Sequence, residues 1–243
     1  MSKIQYPLKV IGTGSYVPKK IIKNEEIIKN FNTSHNWITE NLGIFERRVT
    51  EDNECTSDLA ANAAKKAIES SKLNVSEIDL LIVATATPDR LSPSTACIVQ
   101  EKIGALNAVA FDISAVCSGF LFGLSIISQY LQSGMFKNVL LIGADNFSKI
   151  TDWSKRDCIF FGDGSGAAVI TSDLDSGIIA QRIYSDGRGK FNFTVPGGGS
   201  ELPLNENNIN NGLNYFSMNG RSVYEVGTQV LPKAINQVLE DSG

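Results

Sequence analysis

Five short apolar runs frame what this chain can fold into. Leu8–Gly12, Leu80–Thr87, Ala108–Ser114, Val139–Ala144 and Ala167–Thr171 each read as a strand, and their apolar character is close to continuous rather than alternating. A strand that is apolar on both faces needs cover on both faces, the condition of a sheet held between helices. The stretches between them supply those helices. Ser57–Ser71 begins at an N-cap candidate, Ser57 or Thr56, and Ser94–Ile103 begins at another serine. Ser118–Gln132 is almost wholly apolar and stops before Gly134. The expected class is α/β with a doubly covered sheet. Residues 186–215 hold most of the loop composition (GRGK, PGGGS, NENNINNG) and are expected to form a mobile surface segment.

Composition narrows the function classes. A chain of 243 residues can bury about 70–75% of its unfolded surface in one unit. A net charge of -4 argues against nucleic acid as a partner. MSKIQYPLKVIG has too short an apolar stretch for a signal peptide, and no run reaches membrane-spanning length, so no membrane association is expected. The four cysteines, at 55, 97, 117 and 158, form no C-x-x-C, and one histidine cannot complete the usual Cys/His zinc spacings. Reduced thiols in a cytoplasmic protein without a metal are the expectation. Two glycine-rich stretches are read as turns, not nucleotide loops. GTGS (12–15) leads into Tyr16-Val17-Pro18 instead of a helix, and GDGSGA (162–167) lacks a phosphate-loop lysine.

Cys117 carries the chemistry. It stands in AVAFDISAVCSGF (108–120), where a β-rich run ends in small residues and a helix-like segment starts. Cysteine at a helix N-terminus meets unpaired N–H groups and the positive end of the dipole, which favour a thiolate. A thiolate near neutral pH can hold an acyl group as a thioester. Gly119, two residues on, permits close backbone approach.

The same segment, with IGTGSYVP (11–18), TSHNWITENLGIFERR (33–48), TATPDRLSPSTAC (85–97), FGDGSGAAVI (161–170), VPGGGSELP (195–203) and FSMNGRSVYEV (216–226), resembles the β-ketoacyl-acyl-carrier-protein synthase III family of the thiolase superfamily. The likeness runs along essentially the whole chain. It implies a layered αβαβα fold of two similar halves, here 1–172 and the start of the second at 173–243. A weak internal echo fits this: the K-A-I helix of AAKKAIESSKLNVSEIDLLIVATAT (63–87) returns in VLPKAINQVLEDSG (230–243). The implied reaction loads Cys117 from acyl-coenzyme A and condenses that acyl group with malonyl-acyl-carrier protein, releasing carbon dioxide. Coenzyme A enters as part of the substrate, and no resident cofactor is implied. A homodimer is implied, with the strand before Cys117 as its pairing edge.

Site residues carry over from the resemblance one at a time. Trp37 matches the tryptophan that stacks on the adenine of coenzyme A, and Arg156 the arginine on its other side. Phe161 is expected to line the acyl pocket, and Ser92 to cap the acyl tunnel from across the dimer. Asn41 stands where an arginine often meets the coenzyme's phosphate, and Glu225 where a lysine docks the carrier protein; Arg221, Lys149 and Lys155 are the candidate replacements. The family's enolate-stabilising histidine and asparagine match positions downstream of Gly243, so the expectation is a piece of a longer enzyme, inactive alone in condensation. His35 is read as a solvated turn residue. Two other readings stay open: a same-fold acyltransferase of a secondary-metabolite or polysaccharide pathway, and a non-catalytic acyl-binding subunit, against which Cys117 argues.

Overall fold

The computed structural model describes residues 5–243. The chain opens with β1 (Tyr6–Pro7), β2 (Lys9–Tyr16), β3 (Lys20–Lys23), the single turn α1 (Asn24–Ile27) and α2 (His35–Leu42). β4 (Glu46–Val49), α3 (Thr56–Ser71), β5 (Leu80–Ala84), α4 (Thr95–Ile103) and β6 (Val109–Ile113) follow. Next come α5 (Gly119–Ser133), β7 (Asn138–Asn146) and β8 (Asp163–Thr171). Beyond these lie β9 (Gly177–Ile178), β10 (Phe193–Thr194), α6 (Glu206–Asn210), β11 (Ser217–Met218) and α7 (Gly220–Ser242).

A five-stranded mixed sheet ordered β2-β8-β7-β5-β6 forms the core. β5 runs parallel to β6 and β7, while β8 is antiparallel to β7 and β2. Successive side chains of a strand face opposite ways, and β5 shows the consequence. Leu81 and Val83 pack with the alanines of α3 and with Ala96 and Val99 of α4. Leu80 and Ile82 pack on the other face with Ile127 and Leu131 of α5. Every residue of β5 is buried, as the continuous apolar run required. β6 departs from that rule: it is the edge strand, and Val109 is 52% exposed.

Helix starts follow local chemistry. Cys55, not Thr56 or Ser57, is the N-cap of α3, and its N–H is satisfied by Asp58 Oδ2 at 3.1 Å. Ser94 caps α4 by accepting from Cys97 N–H at 3.3 Å. The first two N–H groups of α4, from Thr95 and Ala96, donate to the carboxylate of Asp112 on β6, each at 2.7 Å.

Three expectations need correction. The glycines of GTGS sit inside β2 and those of GDGSGA mostly inside β8, which begins at Asp163. The β2 glycines answer to packing: a Cβ on Gly12 would lie 2.3 Å from the Ala67 carbonyl oxygen, and one on Gly14 2.3 Å from that of Ala63. Small residues on both surfaces let α3 lie directly on the strand. Residues 186–215 are more than loop, since β10 pairs with β11, Phe193 joins an aromatic cluster, and Asn208 is buried. Finally, the helix read around Lys233 extends back to Gly220, with Pro232 inside it. The division after residue 172 falls just past the end of β8.

Candidate active site

Cys117 lies in a single helical turn, Val116–Ser118, between the end of β6 and the start of α5. Val116 has φ +46°, a left-handed backbone that β-branched residues avoid. Such a residue costs about 1–3 kcal/mol and persists where the surroundings over-determine it. The surroundings do so here on both sides. Thr85 N–H donates to the Ile113 carbonyl at 3.2 Å, fixing the end of β6. On the helix side, a Cβ at Gly119 would meet Ala84 Cβ at 3.0 Å, so α5 starts pressed against the end of β5.

Cys117 is exposed and opens into a cavity of about 390 Å3. Its walls are Gly143, Ala144 and Asp145 at the end of β7, Phe147, Phe161 and Gly162, and Gly164–Gly166 of β8. The small residues leave the space, and the two phenylalanines make one side of it apolar. Phe147 and Phe161 stack at 5.0 Å, backed by Phe193 and Phe216, themselves stacked at 5.6 Å. Buried Asp163 holds this wall together: it accepts from the N–H groups of Thr50 at 2.7 Å and Ser148 at 2.8 Å, and from both hydroxyls. A larger cavity of about 960 Å3 lies elsewhere, beside the Arg182–Asp241 ion pair, and holds no nucleophile. The thiol, not cavity size, marks the candidate site.

Trp37 and Arg156 meet as a pair. The guanidinium carbon lies 4.9 Å from the indole centroid, a cation–π contact. Both line a second cavity of about 620 Å3 with Leu42, Phe160, Phe161 and Tyr224. Phe161 belongs to both cavities, so the Trp37–Arg156 surface adjoins the thiol pocket through one side chain. A flat base entering between indole and guanidinium has to displace the latter, because the two are already in contact.

The remaining sequence-derived residues do not line the Cys117 cavity, although Arg221 lines the Trp37–Arg156 cavity. Ser92 is exposed on the loop before α4 and does not line the Cys117 cavity of its own chain. Asn41 spends its side chain on the Trp37 carbonyl at 2.9 Å. Arg221 pairs with Glu225 at 2.8 Å on α7, and Lys155 with Asp152 at 3.3 Å, so neither stands as a free replacement cation. His35 pairs with Glu25 at 2.9 Å and is not among the residues lining the Cys117 cavity. Burial pushes the Cys55 and Cys158 thiols above their ordinary range. Among the described residues no group of three His, Cys, Asp or Glu side chains could hold a metal ion. No helix among them is long and apolar enough to cross a membrane.

Sequence reasoning missed Phe147, Asp145, Asp163, Phe193 and Phe216. One signal was available: Asp145 and Asp163 are carboxylates flanking apolar runs that otherwise read as buried strand.

Comparison with known proteins agrees with this geometry. The family pattern of 3-oxoacyl-[acyl-carrier-protein (ACP)] synthase III matches residues 111–187, a span that contains every residue lining the Cys117 cavity. The beta-ketoacyl-[acyl-carrier-protein] synthase III of Caldanaerobacter subterraneus subsp. tengcongensis is 45% identical over 236 residues, 96% of this chain and 71% of the relative. The crystal structure of the Aquifex aeolicus 3-oxoacyl-[acyl-carrier-protein] synthase III superposes with TM-score 0.86 at 39% identity, covering 97% of this chain and 72% of that one. A priming beta-ketosynthase of the R1128 polyketide pathway shares the fold as closely, TM-score 0.86, over all of this chain and 72% of its own, at only 27% identity. Sequence therefore separates what fold alone does not. The fold is that of the thiolase-like condensing enzymes, and the chain belongs to the β-ketoacyl-[acyl-carrier-protein] synthase III family, acyltransferases of the condensing type.

Proposed function

We propose that Cys117 is the acyl-carrying nucleophile of this synthase, loaded from acyl-coenzyme A and discharged onto malonyl-acyl-carrier protein. The observation that carries this reading is the shared wall: Phe161 lines both the Cys117 cavity and the Trp37–Arg156 cavity. A thioester with an aromatic base at one end and a reactive carbonyl at the other fits two such adjoining spaces. Trp37 and Arg156 take the adenine, while Phe147 and Phe161 face the acyl chain. The Cys117 sulfur then attacks the thioester carbonyl, the new C–S bond forms, and the bond to coenzyme A breaks. The thiol proton leaves with the coenzyme A sulfur. In condensation, loss of carbon dioxide from the malonyl group supplies the electron pair for the new C–C bond, and Cys117 departs as thiolate. Loading of the Cys117 thiol calls for no resident metal or redox group.

The exposed strand edge at β6 supports a homodimer formed by pairing across a two-fold axis. In that assembly the loop bearing Ser92 reaches the partner's acyl tunnel. A cytoplasmic setting accords with four cysteines that all stand free. Incubation with acetyl-coenzyme A should release coenzyme A thiol and add one acetyl group to the protein by intact mass, and Cys117→Ala should abolish both. Thiol release that survives in Cys117→Ala would overturn the assignment.

A further inference from the structure

We propose that Asp145 is a positioning residue for acyl transfer, acting on the Cys117 turn through the Thr85–Thr87 segment at the end of β5. The inference rests on Cys117 being the acyl carrier, and adds the device that holds it in place.

Asp145 Oδ1 accepts three hydrogen bonds from that segment: Ala86 N–H at 2.8 Å, Thr85 Oγ1 at 3.2 Å and Thr87 Oγ1 at 3.3 Å. Thr87 is fastened a second time, its hydroxyl oxygen accepting from Asn146 N–H at 2.7 Å. The fastened segment is the one the cysteine turn stands on. Ile113, which precedes the turn, is bonded through its carbonyl to Thr85 N–H, and Gly119, which follows it, rests on Ala84. One end of the turn is bonded to the clamped segment and the other rests on Ala84, the residue next to it, and the strained Val116 between them needs such ends. All the donors to Asp145 are neutral, and burial pushes its carboxyl above the ordinary carboxylate range while those donors pull the other way. A partly buried carboxyl with no ion-pair partner among the described residues is a costly way to join two strands. The same carboxyl lines the cavity that Cys117 opens into.

The test compares three variants by single-turnover acylation of Cys117 from acetyl-coenzyme A, with iodoacetamide labelling of buried Cys158 as a monitor of fold. Asp145→Ala should slow acylation about tenfold, and Asp145→Asn, which keeps an Oδ1 acceptor, should recover it to within about threefold. Thr85→Val, which at nearly constant shape removes one donor to Asp145 and the acceptor of the Thr87 N–H, should slow it about threefold. Wild-type speed in Asp145→Ala overturns the proposal, and so does an Asn variant as slow as the Ala variant. If Asp145→Ala exposes Cys158, Thr85→Val becomes the deciding variant, and wild-type speed there overturns the proposal. A wild-type protein that never acylates Cys117 sinks the acyl-carrier reading alone. Positioning is then read from iodoacetamide alkylation of Cys117, and an unchanged rate in Asp145→Ala refutes it.

Discussion

At the scale of single residues, four thiols in one chain allow an internal comparison. Cys117 is exposed, whereas Cys158 is 1% exposed and Cys55 lies among Asp58, Asp89 and Lys102. Cys97 is half-buried and accepts from the Ser94 hydroxyl at 3.1 Å. Iodoacetamide should therefore alkylate Cys117 first, since attack needs both access and thiolate; equal labelling of all four in the folded protein would count against it. Trp37 gives a second residue-level expectation. Trp37→Ala should raise KM for acetyl-coenzyme A about tenfold, with little change in the iodoacetamide rate at Cys117, because the role proposed for the indole is in binding alone. A fall in kcat with KM unchanged would contradict that division. Ser92 gives a third. In the proposed dimer Ser92 caps the acyl tunnel, and so small a residue leaves room for methylenes, each worth ~0.8 kcal/mol when buried. Primers longer than acetyl should be preferred, and Ser92→Phe should shift the profile toward acetyl; an unchanged chain-length profile would remove Ser92 from the gate.

At the scale of elements, close contact between α3 and β2 makes a sharp stability prediction. Gly14→Ala places a methyl 2.3 Å from a backbone oxygen that cannot rotate away, and overpacking of this kind costs about 1–3 kcal/mol. Gly166→Ala, on β8 with nothing within 4 Å of the added atom, should stay within about 0.5 kcal/mol. Thermal melts of the two variants check this, and equal melting temperatures would refute the packing argument. The same elements show what was legible in advance. The buried strands and their covering helices could be read because β5 and the Val139–Ile142 stretch of β7 are apolar throughout and Gly134 and Ser94 mark helix ends. The glycines of β2 could not, since a glycine required by a helix lying on top of it has the same local sequence as one required by a turn. The cavity wall was hidden for a related reason: Phe147, Phe161, Phe193 and Phe216 meet only once distant segments fold together. That Cys117, Trp37, Arg156 and Phe161 would line the candidate site could be anticipated from the family resemblance of the short segments that carry them.

At the scale of the whole molecule, β6 is the feature that looks outward. Val109 N–H bonds inward to the Asp79 carbonyl at 2.9 Å. In a parallel pair alternate residues bond to one neighbour, so Ala110 turns its N–H to the open side. Ala110→Pro should break pairing across that edge and leave the β5–β6 ladder intact. Size-exclusion chromatography should then show the dimer dissociating, and an unchanged elution volume would rule out β6 as the interface. On α7 no residue is buried, and Val226, Val230, Ile235 and Leu239 are all exposed. In the proposed function the whole reaction hangs on one sulfur atom. The most direct measurement is peptide mass mapping of the protein after brief exposure to acetyl-coenzyme A. The acetyl group should be found on the peptide bearing Cys117 and on no peptide bearing Cys55, Cys97 or Cys158; an acetyl on any of those three, with Cys117 unmodified, would contradict the assignment of Cys117 as the acyl carrier.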